Sequence, residues 1–186
     1  MAYFPLFINL EDKKILVVGG GKVGTRKVKS LLPFGCSIKV VSPTFSKELL
    51  TLGKTKRIEL IRRKFRPSDL KDVDIVIVAV DNLKLQERIY RLCEKRRILC
   101  NSVDSLEFCN FIFPSVIRKG DIVIGISTSG KVPALSRALR EKLEKCIPKN
   151  IEEILEELSK LRSSMKKGKE RQKRLLMEAR KKLKTS

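Results

Sequence analysis

Six residues near the start of the chain, Gly19–Gly24, have the order Gly-Gly-Gly-Lys-Val-Gly and the glycine spacing of a loop that binds the pyrophosphate of a dinucleotide. They follow Lys14–Gly19, a β-branched apolar run typical of a buried strand, and helical spacing begins directly after them. Gly19 permits a tight turn, Gly21 lets the backbone approach the pyrophosphate, and Gly24 lets the helix pack closely on the sheet. The sequence therefore predicts a dinucleotide at a helix amino terminus, the alternative being a glycine-rich turn without a ligand.

The acidic residue that usually accompanies such a loop is missing. An Asp or Glu about 20 residues further on ordinarily binds the ribose 2′-hydroxyl, but Val41–Thr44 offers only hydroxyls and backbone. We therefore expect backbone contacts at Pro43 and Thr44 to hold NAD, together with Lys22 and Val23. NADP stays open as an alternative, because no carboxylate there would repel its 2′-phosphate. Three residues at the end of a later buried strand should border the nicotinamide: Ala79, Val80 and Asp81.

The composition narrows the chemistry further. The 42 Lys and Arg outnumber the 21 Asp and Glu, and the resulting charge of +21 implies acidic partners such as nucleic acid, an anionic membrane or a polyanionic small molecule. A solvated surface rich in Lys and Glu is the alternative interpretation. The sequence has no histidine, which excludes a His-based triad and an imidazole base. Five scattered cysteines without a C-x-x-C pair argue against a disulfide framework and a zinc site, so we expect no resident metal.

The elements that must position these residues alternate between strands and helices. Asn82 can cap a helix over Leu83–Arg96. Strands are predicted, besides the first, at Ser37–Val41 (ended by Ser42-Pro43), Ile58–Ile61, Asp74–Val80 and Ile98–Val103. This order predicts a parallel sheet covered by helices, an α/β fold of the Rossmann-like class.

The pattern changes in the second half of the chain. Phe111–Ile117 and Asp121–Ser127 are two apolar runs whose short link predicts an antiparallel hairpin, and a helix should follow from Pro133 to Cys146. From Ile151 the chain has helical spacing, and its end, Lys166–Lys184, is so basic that we expect a solvated or partly disordered helix. No stretch reaches the ~18 apolar residues of a membrane span, and we expect a cytoplasmic protein.

Several short motifs occur in the order and spacing of one known family. They are Phe4–Phe7 (FPLF), Val17–Lys27 (VVGGGKVGTRK), Val41–Pro43, Ala79–Asp81, Asn101–Asp104, Phe111–Ser115, Ser127–Gly130, Pro133–Arg137 and Leu139–Glu144. Over about 4–148 the chain resembles the precorrin-2 dehydrogenase/sirohydrochlorin ferrochelatase family, the N-terminal module of siroheme synthase.

The resemblance implies a reaction and a catalytic residue. In this family NAD⁺ takes a hydride from precorrin-2 to give sirohydrochlorin, and some members then insert Fe²⁺, so transient Fe²⁺ or Co²⁺ is expected. Asp104 matches the family's proposed general base, which is also the group needed for metal insertion. It follows a predicted strand, where α/β proteins bind ligands, and with no histidine it has few rivals. Taken alone, without the resemblance, Asp104 fits an ordinary turn or helix cap better than it fits a catalytic residue.

The resemblance also gives the positive charge a partner, because precorrin-2 carries carboxylates around its rim. Asn101 and Arg137 are expected to contact the substrate, although Arg137 could simply face solvent. Hydroxyls and amides at the start of a helix suit a carboxylate, or form an ordinary cap, at Ser127, Thr128, Ser129, Gly130 and Lys131. Many family members have glycine at the position of Ser129 and serine at that of Val132.

The expected organisation is a Rossmann-like NAD-binding domain over residues 1–110, a small α/β dimerisation element over 111–148, and a basic helical region over 149–186. The resemblance implies a homodimer, and a separate methyltransferase is expected to supply precorrin-2. Two other functions remain open. One is an NAD-sensing regulatory module without catalysis, and the other is a charge-driven nucleic-acid binder, which we disfavour because aromatic residues are few and tryptophan is absent.

Overall fold

The computed structural model describes residues 3–54 and 57–184. The chain forms two compact units, the first ending at Phe113 and the second beginning at Pro114. This boundary lies three residues after the predicted one at residue 110, and the residues after 148, expected to form a third region, fall in the same unit as the hairpin. Within the described ranges no helix is long and apolar enough to cross a membrane.

The first unit contains five strands and three α-helices. The strands are β1 (Lys14–Gly20), β2 (Ser37–Phe45), β3 (Ile58–Arg62), β4 (Ile75–Val78) and β5 (Leu99–Ser102). The helices are α1 (Lys22–Leu31), α2 (Lys47–Leu52) and α3 (Leu83–Arg96). All neighbouring strands are parallel, in the order β3-β2-β1-β4-β5. This confirms the predicted Rossmann-like sheet, in which the ends of β1 and β4 meet at one edge.

Apolar packing covers both faces of the sheet. Alternate residues of β1 point to opposite sides, with Ile15 and Val17 in one buried cluster and Leu16 and Val18 in the other. All four side chains are almost completely buried. A strand buried on both faces is a continuous apolar run, which is why β1 and β4 could be predicted from their sequences.

The second strand is longer than predicted. The Ser42-Pro43 pair does not end β2, which continues until Phe45 lies opposite Gly20 of β1. The pairing becomes irregular between Val18 and Gly20, so β2 follows the bend of the glycine loop. Ser46 then caps α2, a short helix that the sequence analysis did not predict, by accepting a hydrogen bond from the Leu49 amide.

The second unit consists of the predicted hairpin followed by three helices. Strands β6 (Ser115–Lys119) and β7 (Ile122–Ile126) pair antiparallel, and α4 (Pro133–Lys145) packs on them with Pro133 in its first turn. The helices α5 (Ile151–Ser164) and α6 (Lys169–Lys184) pack against each other. The basic end of the chain is therefore helical up to 184, and an ion pair between Lys182 and Glu157 links the two helices.

Candidate functional site

Close backbone contacts exclude a side chain at three glycines of the loop. At Gly20 a Cβ atom would lie 2.4 Å from the carbonyl oxygen of Thr44. Gly19 has φ +116°, and a Cβ atom there would lie 2.1 Å from the carbonyl oxygen of Ala79. A Cβ atom at Gly24 would lie 2.1 Å from the carbonyl oxygen of Gly19. Any side chain at these three positions would collide with main chain, so the three glycines fix the path of the loop between β1 and α1.

Gly21 differs from its neighbours because a Cβ atom there would meet nothing within 4 Å. It is the N-cap residue of α1, whose first turn contains no acidic residue and begins with the exposed Lys22 and half-buried Val23. The first amides of a helix have no partners within the helix and carry its positive dipole end. Open space beside free amides fits the pyrophosphate of NAD, and this is the position where the fold class binds it.

The end of β2 is attached to the glycine loop. The Ser46 amide donates to the Gly20 carbonyl at 2.8 Å, and the hydroxyls of Thr25 and Ser46 lie 2.8 Å apart. Pro43 and Thr44 are exposed on this segment, beside the loop. The sequence analysis missed Thr25 and Ser46, although a serine directly before a short apolar-patterned segment is a recognisable cap signal.

The segment after β4 completes this edge of the sheet. The Ala79 amide donates to the Val18 carbonyl at 2.7 Å, and Asp81 is exposed beyond it. Gln86 of α3 holds this segment in place, because its side-chain amide nitrogen donates to the Val80 carbonyl at 2.6 Å. Its buried side-chain oxygen has no hydrogen-bond partner among the residues described. The structure thus places Ala79–Asp81 beside the glycine loop.

Asp104 is exposed in the turn that follows β5, at the same carboxyl edge of the sheet. Its φ of +65° lies in the left-handed region, which asparagine and aspartate tolerate better than most residues. The buried thiol of Cys109 fixes the turn, because its sulfur accepts from the Ser102 amide at 3.2 Å and lies within hydrogen-bond distance of the Ser102 carbonyl. The Val103 amide donates to the Val78 carbonyl at 2.9 Å.

Two asparagine side chains form hydrogen bonds with the backbone of the residues that flank Asp104. Asn101 is buried, and its side-chain amide donates to the Phe111 carbonyl at 3.1 Å. The side-chain oxygen of Asn110 accepts from the Cys100 amide at 2.7 Å. In this structure Asn101 supports the loop, and its expected contact with substrate stays a prediction.

Lys27 of α1 is a residue whose environment the sequence did not indicate. Its ammonium lies 3.9 Å from the centre of the Phe113 ring, and the side chain is largely buried. Loss of water, reinforced by the nearby Arg26, lowers the pKa of Lys27 to about 8, while the negative charge of Asp104 acts more weakly in the opposite direction. The site therefore contains a second ionisable group that interacts electrostatically with Asp104.

In the second unit, the turn before α4 is held by its own side chains. The Thr128 hydroxyl accepts from the Val132 amide at 3.2 Å and lies 3.1 Å from the hydroxyl of Ser136. The Ser129 amide donates to the Ser127 hydroxyl at 3.0 Å. Ser129 has φ +55°, in the left-handed region that glycine adopts more readily than serine.

The remaining predicted residues of this unit lie on or next to α4. Gly130 has φ +76°, and the Lys131 amide donates to the Thr128 carbonyl at 3.1 Å. Arg137 is exposed and forms an ion pair with Glu141, one turn later, at 2.9 Å. Such an exposed pair contributes little to stability, so the arginine could exchange this partner for another carboxylate.

The first unit has the features of one class of protein. A parallel sheet whose carboxyl edge presents a glycine loop at an uncapped helix start defines a dinucleotide-binding α/β domain. In agreement, the family described as "Putative NAD(P)-binding" matches residues 6–115. The chain belongs to this family, and the expected use of NAD is confirmed at that level.

Curated relatives carry the name of the predicted family. The chain is 45% identical over 148 residues to "Siroheme synthase" of Baumannia cicadellinicola subsp. Homalodisca coagulata, covering 80% of this chain and 32% of that protein. It is 38% identical over 166 residues to "Siroheme synthase 1" of Serratia proteamaculans (strain 568), covering 89% and 35%. The chain thus spans about a third of the length of these relatives.

A solved structure extends the similarity to nearly the whole chain. The structure titled "SirC, precorrin-2 dehydrogenase" superposes with a TM-score of 0.75 at 27% sequence identity, covering 95% of this chain and 88% of that one. The resemblance to the siroheme synthase module and the predicted fold class are thereby confirmed.

Proposed function

We propose that the protein is an NAD⁺-dependent dehydrogenase that converts precorrin-2 to sirohydrochlorin. The observation that carries the proposal is the position of Asp104, whose strained turn lies at the same carboxyl edge of the sheet as the glycine loop. A carboxylate held there can meet a substrate placed next to the nicotinamide. The names of the similar proteins, siroheme synthase and precorrin-2 dehydrogenase, support the identity of that substrate.

The reaction removes a hydride and a proton from the macrocycle. Bound NAD⁺ supplies the hydride acceptor, so that precorrin-2 and NAD⁺ give sirohydrochlorin, NADH and a proton. The Asp104 carboxylate accepts the proton. The amides at the start of α1 bind the pyrophosphate, and Pro43 and Thr44 approach the adenosine ribose. The positive charge of the protein attracts the substrate's carboxylates, for which Arg137 and Lys131 are candidate partners.

The test is anaerobic incubation of the purified protein with precorrin-2 and NAD⁺, followed by the absorbance of sirohydrochlorin and NADH. The informative variant is Asp104→Asn, because asparagine tolerates the left-handed backbone whereas alanine would add strain. The matched control is Asp72→Asn, an aspartate with φ +56° that precedes β4 and so lies at the opposite edge of the sheet.

We expect Asp104→Asn to reduce turnover by about two orders of magnitude or more, the usual effect of losing a general base. NAD⁺ affinity should be unchanged, and Asp72→Asn should be fully active. Wild-type protein that produces neither sirohydrochlorin nor NADH would refute the proposal.

Metal insertion is a second reaction proposed for the same residue. Entry of Fe²⁺ displaces two N–H protons from the macrocycle, of which the Asp104 carboxylate can take up one while the other passes to solvent. A carboxylate oxygen is also a suitable transient ligand for the metal. Incubation with sirohydrochlorin and Fe²⁺ or Co²⁺ tests this proposal. Equal acceleration by wild type and Asp104→Asn over the rate without protein would exclude a role for Asp104 in insertion.

We also propose that two copies of the chain pair through the second unit. Three leucines one turn apart on α4, Leu135, Leu139 and Leu143, are 50%, 39% and 41% exposed, and Val116 of β6 is 39% exposed. An apolar row of this kind is commonly covered by a partner. Light scattering after size exclusion should show a dimer for wild type and a monomer for Leu139→Glu. The exposed-face variant Glu153→Gln is the control and should remain dimeric.

A further inference from the structure

In this fold class an acid at the end of the second strand usually binds the ribose. In this chain a cation, Arg62, lies next to that position. Arg62 is the last residue of β3 and pairs in register with Ser42 of β2. Its guanidinium carbon lies 5.3 Å from the centre of the Phe45 ring, at the end of β2. The side chain is exposed, and the Phe45 ring directly follows Pro43 and Thr44, the residues expected to approach the adenosine ribose.

Within the described part of the chain, the contact of the Arg62 side chain is the Phe45 ring, and no ion pair or hydrogen bond engages its guanidinium. Its neighbour Arg63 is fully engaged, since two of its nitrogens bind the buried carboxylate of Asp69 at 2.6 and 2.8 Å. The nearby Glu59 forms its ion pair with Lys39. The two adjacent arginines therefore differ: one stabilises the fold, and the other presents free donors to solvent.

The end of β2 fixes the distance between this arginine and the cofactor loop. Phe45 lies opposite Gly20, and the Ser46 amide donates to the Gly20 carbonyl. The ring beneath Arg62 is thus anchored to the loop that binds the pyrophosphate. In Rossmann-like domains an arginine near the end of the second strand accommodates the 2′-phosphate of NADP, whereas an acid in the same region selects NAD.

We propose that Arg62, stacked on Phe45, forms a binding site for a phosphate monoester, the 2′-phosphate of NADP⁺, so that the protein binds NADP⁺ in addition to NAD⁺. A guanidinium on an aromatic face is partly ordered before the ligand arrives, and its planar fork matches two phosphate oxygens. This inference rests on the dinucleotide site alone and is independent of whether precorrin-2 is the substrate.

Binding is measured by calorimetry with NAD⁺ and NADP⁺ in the absence of any tetrapyrrole. The test variant is Arg62→Gln. The control is Arg57→Gln, which makes the same change of charge just before β3, at the opposite edge of the sheet. Competition by 2′-AMP against 5′-AMP isolates the phosphate that Arg62 should recognise.

We expect wild type to bind NADP⁺ with a dissociation constant within about tenfold of that for NAD⁺. Arg62→Gln should weaken NADP⁺ by about tenfold and NAD⁺ by less than threefold, since one charge-assisted interaction is lost at an exposed position. Arg57→Gln should alter neither. Raising the salt concentration should weaken NADP⁺ more than NAD⁺.

Three results would overturn the inference: no detectable NADP⁺ binding by a protein that binds NAD⁺, an equal loss of both cofactors in Arg62→Gln, or an equal effect of Arg57→Gln. Failure of the precorrin-2 assay would leave the inference standing, because these measurements contain no tetrapyrrole. Binding of neither cofactor would refute the inference together with the dinucleotide site itself.

Discussion

Lys27 offers a test of how burial sets the properties of this site. Its ammonium lies over the Phe113 ring, and desolvation lowers its pKa from 10.5 to about 8. At about 1.4 kcal/mol for each tenfold change in proton affinity, the protonated lysine costs the folded state about 3 kcal/mol. The cation–π contact with Phe113 offsets about 1 kcal/mol of this cost. We therefore expect Lys27→Met, which keeps the length of the side chain, to raise the free energy of unfolding at pH 7 by about 2 kcal/mol.

The sign of the pH dependence follows from the direction of the shift. Below pH 8 both the folded and unfolded states hold the proton, so the cost of the buried ammonium is fully present. Between about pH 8 and 10.5 the folded protein has lost the proton while the unfolded chain still binds it, so the stability of wild type rises with pH. The difference between wild type and Lys27→Met should therefore shrink across this window.

Urea denaturation at pH 7, 8, 9 and 10 measures this difference directly, because the other titrating groups are common to both proteins. Lys29→Met is the control, since Lys29 lies on the same helix but is exposed and paired with Glu48. A stability difference between wild type and Lys27→Met that stays constant from pH 7 to 10 would refute the reasoning. So would destabilisation by Lys27→Met at pH 7.

Three further predictions concern the glycine loop, the turn before α4 and the ion pair between Arg63 and Asp69. Gly24→Ala should destabilise the fold by about 3 kcal/mol, because its methyl group would meet a backbone oxygen. Gly21→Ala should change the stability by less than about 0.5 kcal/mol but weaken the binding of NAD⁺ at least about tenfold. Denaturation measures the stability and calorimetry the binding. Ser129→Gly should raise stability by about 1 kcal/mol in thermal unfolding by relieving the left-handed backbone. Arg63 holds the pKa of Asp69 below its usual value, so Arg63→Gln should lower the stability at pH 7, and this loss should decline as the pH falls below about 4.

Local signals explain which elements could be predicted. Helix α3 begins and ends at the predicted residues, because Asn82 supplies the cap and its side chain accepts from the Leu85 amide. The strand β4 lies within the predicted apolar run because burial on both faces leaves no polar positions. These features depend on neighbours in sequence, and periodicity detects them.

The errors have a common physical origin in contacts between distant residues. The end of β2 passes Pro43 because Phe45 pairs with Gly20, an interaction that no property of the segment Ser42–Phe45 indicates by itself. Likewise, the environment of Lys27 depends on Phe113, which lies far along the chain. A lysine on a helix next to other basic residues has the pattern of a solvated face, and only the fold shows that it is largely buried.

Because the sequence has no histidine, Lys27 is a second candidate for proton transfer in this site. From the sequence, Asp104 has few rivals as a proton acceptor, but the fold adds an amine whose pKa is about 8 and whose charge interacts with that carboxylate. A group with this pKa exchanges protons near neutral pH, which an ordinary lysine does not. Because a buried ammonium costs stability, a more stable but slower Lys27→Met would indicate that the charge is kept for activity. Lys27→Arg, which keeps the charge but cannot release a proton, would then separate an electrostatic role from proton transfer through the pH profile of turnover.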